Sequence, residues 1–156
     1  MSKHLLYTRA DGGLSVFSAA PDARLDGETA EECLARLMPL VVPADASSSR
    51  IVDATDLPAD ATFRDAWRDD GVSVQVDMEQ AREIHMGRIR KSRNTALQAL
   101  DVDYMRALEQ GDATAQQAIA TEKQRLRDIP ETFDITVHET PEALADAWPA
   151  GLTQAP

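Results

Sequence analysis

Leu97-Gln98-Ala99-Leu100-Asp101-Val102-Asp103-Tyr104-Met105-Arg106-Ala107-Leu108, a turn at Gly111-Asp112, and Lys123-Gln124-Arg125-Leu126-Arg127-Asp128-Ile129-Pro130 are the stretch whose reading decides the fold. Advancing about 100° per residue, Met86, Ile89, Ala96, Leu97, Leu100, Tyr104 and Leu108 fall on one side of a helix. A break at Asp101-Val102-Asp103 would reset that phase, so the spacing predicts one helix over about 78–109. Two helices, the second capped by Asp101 or Asp103, are the alternative. Gly111 supplies a stop and Asp112 a cap for the next helix. There Ala115, Ala118, Ile119, Leu126 and Ile129 share a face. Folding the two helices antiparallel sets Leu108 near Ala115, Tyr104 near Ile119 and Leu97 near Leu126. Pro130 is expected to end the second helix.

Upstream, Asp77 with Gln80 reads as a capping box that starts the long helix. Val72-Ser73-Val74-Gln75-Val76 alternates with period two, as a half-buried strand does. Arg50-Ile51-Val52-Asp53 is a further strand candidate, and Ser47-Ser48-Ser49 reads as a flexible joint before it. Thr29 with Glu32 opens a helix carrying Ala30, Cys33, Leu34, Leu37 and Met38, which Pro39 and Pro43 are expected to stop. Leu5 to Arg9 and Leu14 to Phe17 flank Asp11-Gly12-Gly13 as a β-hairpin. The expected architecture is therefore α+β. A small α+β domain (1–76: β-hairpin, helix, short strands) precedes a long antiparallel helical hairpin (77–130). An irregular C-terminal tail (131–156) follows, with one short helix from Pro141 and then Trp148-Pro149.

Composition fits this plan. The chain has 156 residues, of which 43% are hydrophobic, but only three Phe, two Trp and two Tyr. Alanine and leucine must fill the interior, which suits closely packed helices. The formal charge of −11 argues against nucleic acid as a partner, because phosphate binding needs clustered Lys and Arg. A single cysteine, Cys33, excludes an internal disulfide. No apolar run approaches the roughly 18–20 residues that span a bilayer, and no signal peptide is evident, so the expectation is a soluble protein of a bacterial-type cytosol.

Chemistry-bearing constellations are absent from the pattern. His4, His85 and His138 lack second ligands at metal spacing, and Asp101/Asp103 lack the glycine and closing glutamate of a calcium loop. His85 is expected on a solvated helix flank. Cys33 lies on an apolar stripe with no histidine near in sequence, as a small buried hydrophobe does. No nucleophile elbow or glycine-rich phosphate loop occurs. The expectation is no catalytic residue, no cofactor and no metal. A small enzyme would require folding to bring His85 or His138 against Cys33, or several carboxylates into a pocket.

One cluster stands out in this acidic chain: Arg82, Arg88, Arg90, Lys91 and Arg93. Helical geometry puts Arg82, Arg90 and Arg93 on the side of Met86 and Ile89, with Arg88 and Lys91 elsewhere. That is a poor DNA stripe and a better contact surface. Its occupant is either the chain's own acidic N-terminal half or a partner. Arg125 and Arg127 at the end of the second helix admit two readings as well. Both favour the helix dipole, Asp128 can answer one, and Leu126, Ile129 and Pro130 complete a well-made helix end; or the arginines touch a partner. The candidate partner-binding residues are Arg82, Met86, Ile89, Arg90, Arg93, Arg125 and Arg127.

Lys123 to Pro130 resembles the ending of phage tail-assembly chaperone and tail-fibre-assembly domains, in which a helix with an Arg-Gln-x-Leu-Arg-Asp-Ile/Val-Pro pattern closes a helical hairpin and a Trp-Pro pair follows. Asp77 to His85 and Leu100 to Glu109 are similar to the long helix of that family, and Thr62-Phe63-Arg64-Asp65-Ala66-Trp67 to a short element before it. The similarity covers about residues 57–130. Lys123 stands in place of the usual arginine, Trp148-Pro149 comes late, and the N-terminal unit lies outside the family's helical domain. The resemblance implies a non-enzymatic bacteriophage protein that binds a tail fibre, tail-tip or baseplate component in the host cytoplasm during tail morphogenesis. The alternative it implies is a structural virion component fixed in the tail. Homo-oligomers are compatible with the seam of small residues on the second helix.

Overall fold

In a computed structural model the chain is α+β, with small antiparallel sheets, long helices and a helical hairpin; residues 2–154 are described. It divides into two compact units, Met1–Asp77 and Met78–Pro156.

The first unit is built on a three-stranded antiparallel sheet of order β2-β1-β3, from β1 (Lys3–Thr8), β2 (Leu14–Phe17) and β3 (Ser48–Asp53). The expected hairpin forms, with Leu6 opposite Val16 and Thr8 opposite Leu14. Gly12 takes φ 80°, a value that glycine reaches without strain, and its amide donates to the Arg9 carbonyl at 2.9 Å. Successive strand residues face opposite sides, so the adjacent Leu5 and Leu6, both 0% exposed, are buried on the two faces of β1. Leu6 joins Leu14, Val52, Trp67 and Val74 in one core. The other face is covered by α1 (Ala30–Val41), started by the Thr29–Glu32 capping box with bonds of 3.2 and 2.8 Å.

Three expectations for this unit need correcting. Ser48 and Ser49 are no flexible joint; they open β3, where Ser48 donates its hydroxyl to that of Thr8 at 3.0 Å. A strand partner supplies what serine lacks in intrinsic preference. Trp67–Asp69 forms an additional strand, β4, paired antiparallel with β5 (Val74–Val76). Pro39 does not stop α1, which continues to Val41. A proline in the last turn forfeits one internal bond, and the amide of Val42 still closes on the Met38 carbonyl at 2.9 Å. Arg50 ties β3 to β4 through two bonds to the Asp69 carboxylate, 2.7 and 2.9 Å.

The second unit opens with α2, a single uninterrupted helix of 32 residues, Met78–Glu109. Gly111 (φ 66°) turns the chain and Asp112 caps α3 (Ala113–Thr132), its side chain accepting from the Ala115 amide at 2.9 Å. The helices run antiparallel in the expected register. Lys123 reaches Asp101 at 2.6 Å and sits 5.3 Å from the Tyr104 ring centroid, while Gln116 donates to the Ala107 carbonyl at 3.3 Å. Pro130 does not end α3. The helix runs on to Thr132, and the Phe133 amide closes on the Ile129 carbonyl at 2.9 Å. At the hairpin tip the phase also differs from expectation. Ala107 is buried at 5% and Leu108 is half exposed, since two helices near the turn approach most closely through the smaller side chain.

Among the described residues one further helix follows α3: α4 (Pro141–Asp146), capped by Thr140. Residues on either side of it pack back on the hairpin. Met86, Ile89, Leu126, Ile129 and Leu152 form the buried core, with Leu97, Leu100, Phe133, Ile135 and Trp148 against it.

Candidate protein-binding surface

The first half of α2 carries the basic cluster, and its spacing decides what each side chain can do. Met86 and Ile89 point inward, 9% and 0% exposed. Ile89 is thus core, and the expectation that it contacts a partner is corrected. Met86 is mostly core as well, but one edge reaches an open cleft of about 780 Å3 lined by Glu79, Arg82, Glu83, Met86, Arg90, Ile135 and Thr136. Arg82 and Arg90, two turns apart on α2, flank that cleft. Arg82 is half-buried and donates to the His138 carbonyl at 2.9 Å, so part of its donor capacity is used to hold the segment after α3. Arg90 is exposed and has no hydrogen bond or ion pair among the described residues. Arg93 is half-buried and bonds the Asn94 side-chain carbonyl at 3.1 and 3.3 Å.

The α3 arginines lie apart from the cleft. Arg125 forms a two-point ion pair with Glu122 at 2.7 and 2.8 Å and donates to the Ala150 carbonyl at 3.0 Å. The pair holds the Glu122 carboxyl below its ordinary value. Arg125 thus spends its fork on the chain itself, while Arg127 is exposed and has no ion pair among the described residues. Asp128 answers neither arginine; it accepts from Gln124 at 2.7 Å. Of the seven candidates, Arg90 and Arg127 keep whole side chains available to a partner, and Arg82, Met86 and Arg93 offer part of theirs.

His85 departs most from expectation. It is 1% exposed, where a solvated flank was expected, and its Nε2 lies 2.6 Å from the Ala147 carbonyl. Its ring meets that of Trp148 edge-on, centroids 5.5 Å apart. Two turns further along α2, Ser92 donates its hydroxyl to the Thr153 carbonyl. His85 and Ser92 therefore fasten the residues after α4 to α2, and Trp148 closes the strap with an indole N–H bond to the Leu152 carbonyl at 2.7 Å. Burial pushes the imidazole below its ordinary value, more than the bond to the Ala147 carbonyl raises it, and Arg88 and His138 push in the same direction. The sequence carried a signal for this role: His85, Ile89, Ser92 and Ala96 follow helical core spacing, and two of the four are polar.

The reactive groups are dispersed. Cys33 is buried, with its sulfur 3.6 Å from the Ala23 carbonyl and 3.7 Å from Arg36. Among the described residues no three His, Cys, Asp or Glu side chains are grouped to hold a metal ion. Among them, too, no helix is long and apolar enough to cross a membrane. What the second unit presents is a packed two-helix hairpin with the exposed cations Arg90 and Arg127, the former beside an open cleft. The chain matches no protein-family model, no curated protein and no solved structure.

Proposed function

We propose that this chain is a non-enzymatic bacteriophage tail protein that binds a tail fibre or tail-tip component during tail morphogenesis. The observation that carries the reading is the α2–α3 hairpin closed by Lys123–Pro130, whose inward residues Leu126 and Ile129 are consumed in packing while Arg127 faces solvent. In this reading the motif's leucine and isoleucine build the arm, and Arg90 and Arg127 supply contacts to an acidic surface of the partner. Guanidinium groups on a rigid helix lose little freedom when they form forked bonds to carboxylates, which suits a docking surface. The host cytoplasm is the proposed place of action.

Co-expression with the fibre and tail-tip proteins encoded in the same genome tests it. One of them should co-purify with this chain, and Arg90→Glu with Arg127→Glu should weaken that capture by at least about tenfold while the helical signal stays unchanged. If none co-purifies, or the doubly reversed variant is captured as well as the wild type, the reading fails.

A further inference from the structure

Charge is segregated along α2. From Ile84 to Leu100 the helix holds Arg88, Arg90, Lys91 and Arg93 and no acid; from Asp101 to its end at Glu109 the acids Asp101, Asp103 and Glu109 outnumber the single Arg106. The side of α2 turned away from its core partners carries Lys91, Thr95, Gln98, Val102, Met105 and Glu109, all exposed. Their spacing is the alternation of four and three that lets one helix lie along another. Val102 and Met105, 51% and 53% exposed, are large apolar side chains that this chain leaves uncovered. The Lys91 ammonium and the Glu109 carboxylate, at the two ends of the seam, have no side-chain hydrogen bond or ion pair among the described residues; the Thr95 hydroxyl between them is turned back onto the Lys91 carbonyl at 3.3 Å.

We propose that this face docks the same face of a second copy of the chain, with the two α2 helices antiparallel and Lys91 of each copy opposite Glu109 of the other. The seam is self-complementary in only one direction. In the antiparallel register centred on residue 100, Lys91 meets Glu109, Thr95 meets Met105 and Gln98 meets Val102. A parallel pairing would set lysine on lysine and glutamate on glutamate, which is destabilising. The apolar pair of each copy then covers the short polar side chains of the other, and the interface is two-fold symmetric. The α3 side of the hairpin is untouched, because Leu126 and Ile129 pack on the opposite side of α2. This interface does not rest on the tail-binding reading.

Sedimentation equilibrium of the full chain tests the proposal, with a mass of twice 17.0 kDa expected at high micromolar concentration. Lys91→Glu should weaken self-association roughly tenfold, and so should Glu109→Lys, since each places like charges at both ends of the seam. The double swap, Lys91→Glu with Glu109→Lys, should restore it. Orientation is read separately from single-cysteine variants, for which Cys33, being buried, leaves a low background. Lys91→Cys mixed with Glu109→Cys should form a disulfide-linked pair under oxidised glutathione, and neither variant alone should do so. Every one of these positions is exposed, so an unchanged helical signal verifies folding. A wild type that stays monomeric overturns the proposal, as does a dimer indifferent to Lys91→Glu or a Lys91→Cys variant that cross-links to itself.

Discussion

Leu126→Ala is the sharpest probe of the hairpin. Leu126 is 2% exposed and packs with Met86, Ile89, Ile129 and Leu152, so it joins α2, α3 and the returning strap in one cluster. Truncating such a leucine forfeits its transfer energy and leaves a cavity, at a cost of about 2–5 kcal/mol. A unit of this size is stable by only about 4–12 kcal/mol, so the variant should lose a large part of its margin. Leu108→Ala is the internal control. It lies on the same hairpin but is 50% exposed, and its truncation should cost under about 1 kcal/mol. Chemical denaturation followed by the helical circular dichroism signal reports mainly α2 and α3 and compares the two directly. Equal losses, or a larger loss for Leu108→Ala, would show that the helices meet along a different seam.

Other outcomes follow from particular contacts. Breaking the Arg50–Asp69 pair by Asp69→Ala strands a half-buried guanidinium beside a carboxylate site only 5% exposed and should cost about 2–4 kcal/mol, seen as a lower thermal midpoint of the first unit. His85 makes the second unit acid-sensitive. Its folded-state value is depressed, so the unfolded chain takes up the proton first, and stability falls as pH drops below the ordinary 6.5 toward the folded-state value. Denaturation at about pH 7 and about pH 5.5 should show a steeper loss for wild type than for His85→Gln; identical slopes would remove the histidine from the account. Gly111→Ala should destabilise the hairpin by about 1 kcal/mol through its φ of 66° alone, since a Cβ there meets open space.

The parts of the fold that announce themselves locally were legible in the residues. Gly111 and Asp112 mark the hairpin turn, Thr29 and Glu32 the start of α1, and Gly12 the first β-turn, because a cap or a positive φ is satisfied by neighbours in sequence. The continuity of α2 through Asp101 and Asp103 was legible from phase, as aspartates facing water do not interrupt a core stripe. What stayed hidden depends on distant partners. Ser48 and Ser49 become strand only because β1 lies alongside, and Trp67–Asp69 only because β5 returns. His85 is polar by composition but buried because the segment around Ala147 and Trp148, far downstream, covers it. Pro39 and Pro130 are weak stops, since a proline near a helix end sacrifices one bond rather than the turn. Ile89 shares a side of α2 with arginines in the sequence pattern, yet burial separates it from them: it is 0% exposed while Arg90 is exposed.

The strap after α4 has a consequence for chain continuity. Val137 is 64% exposed, while Leu144 and Leu152 beyond it are buried and His85 and Ser92 grip the carbonyls of Ala147 and Thr153. A protease cut near Val137 would therefore sever the backbone without releasing the downstream piece. The two fragments should stay associated and, once separated in denaturant, recombine on dilution, which makes this loop a natural place to divide the protein into a split pair.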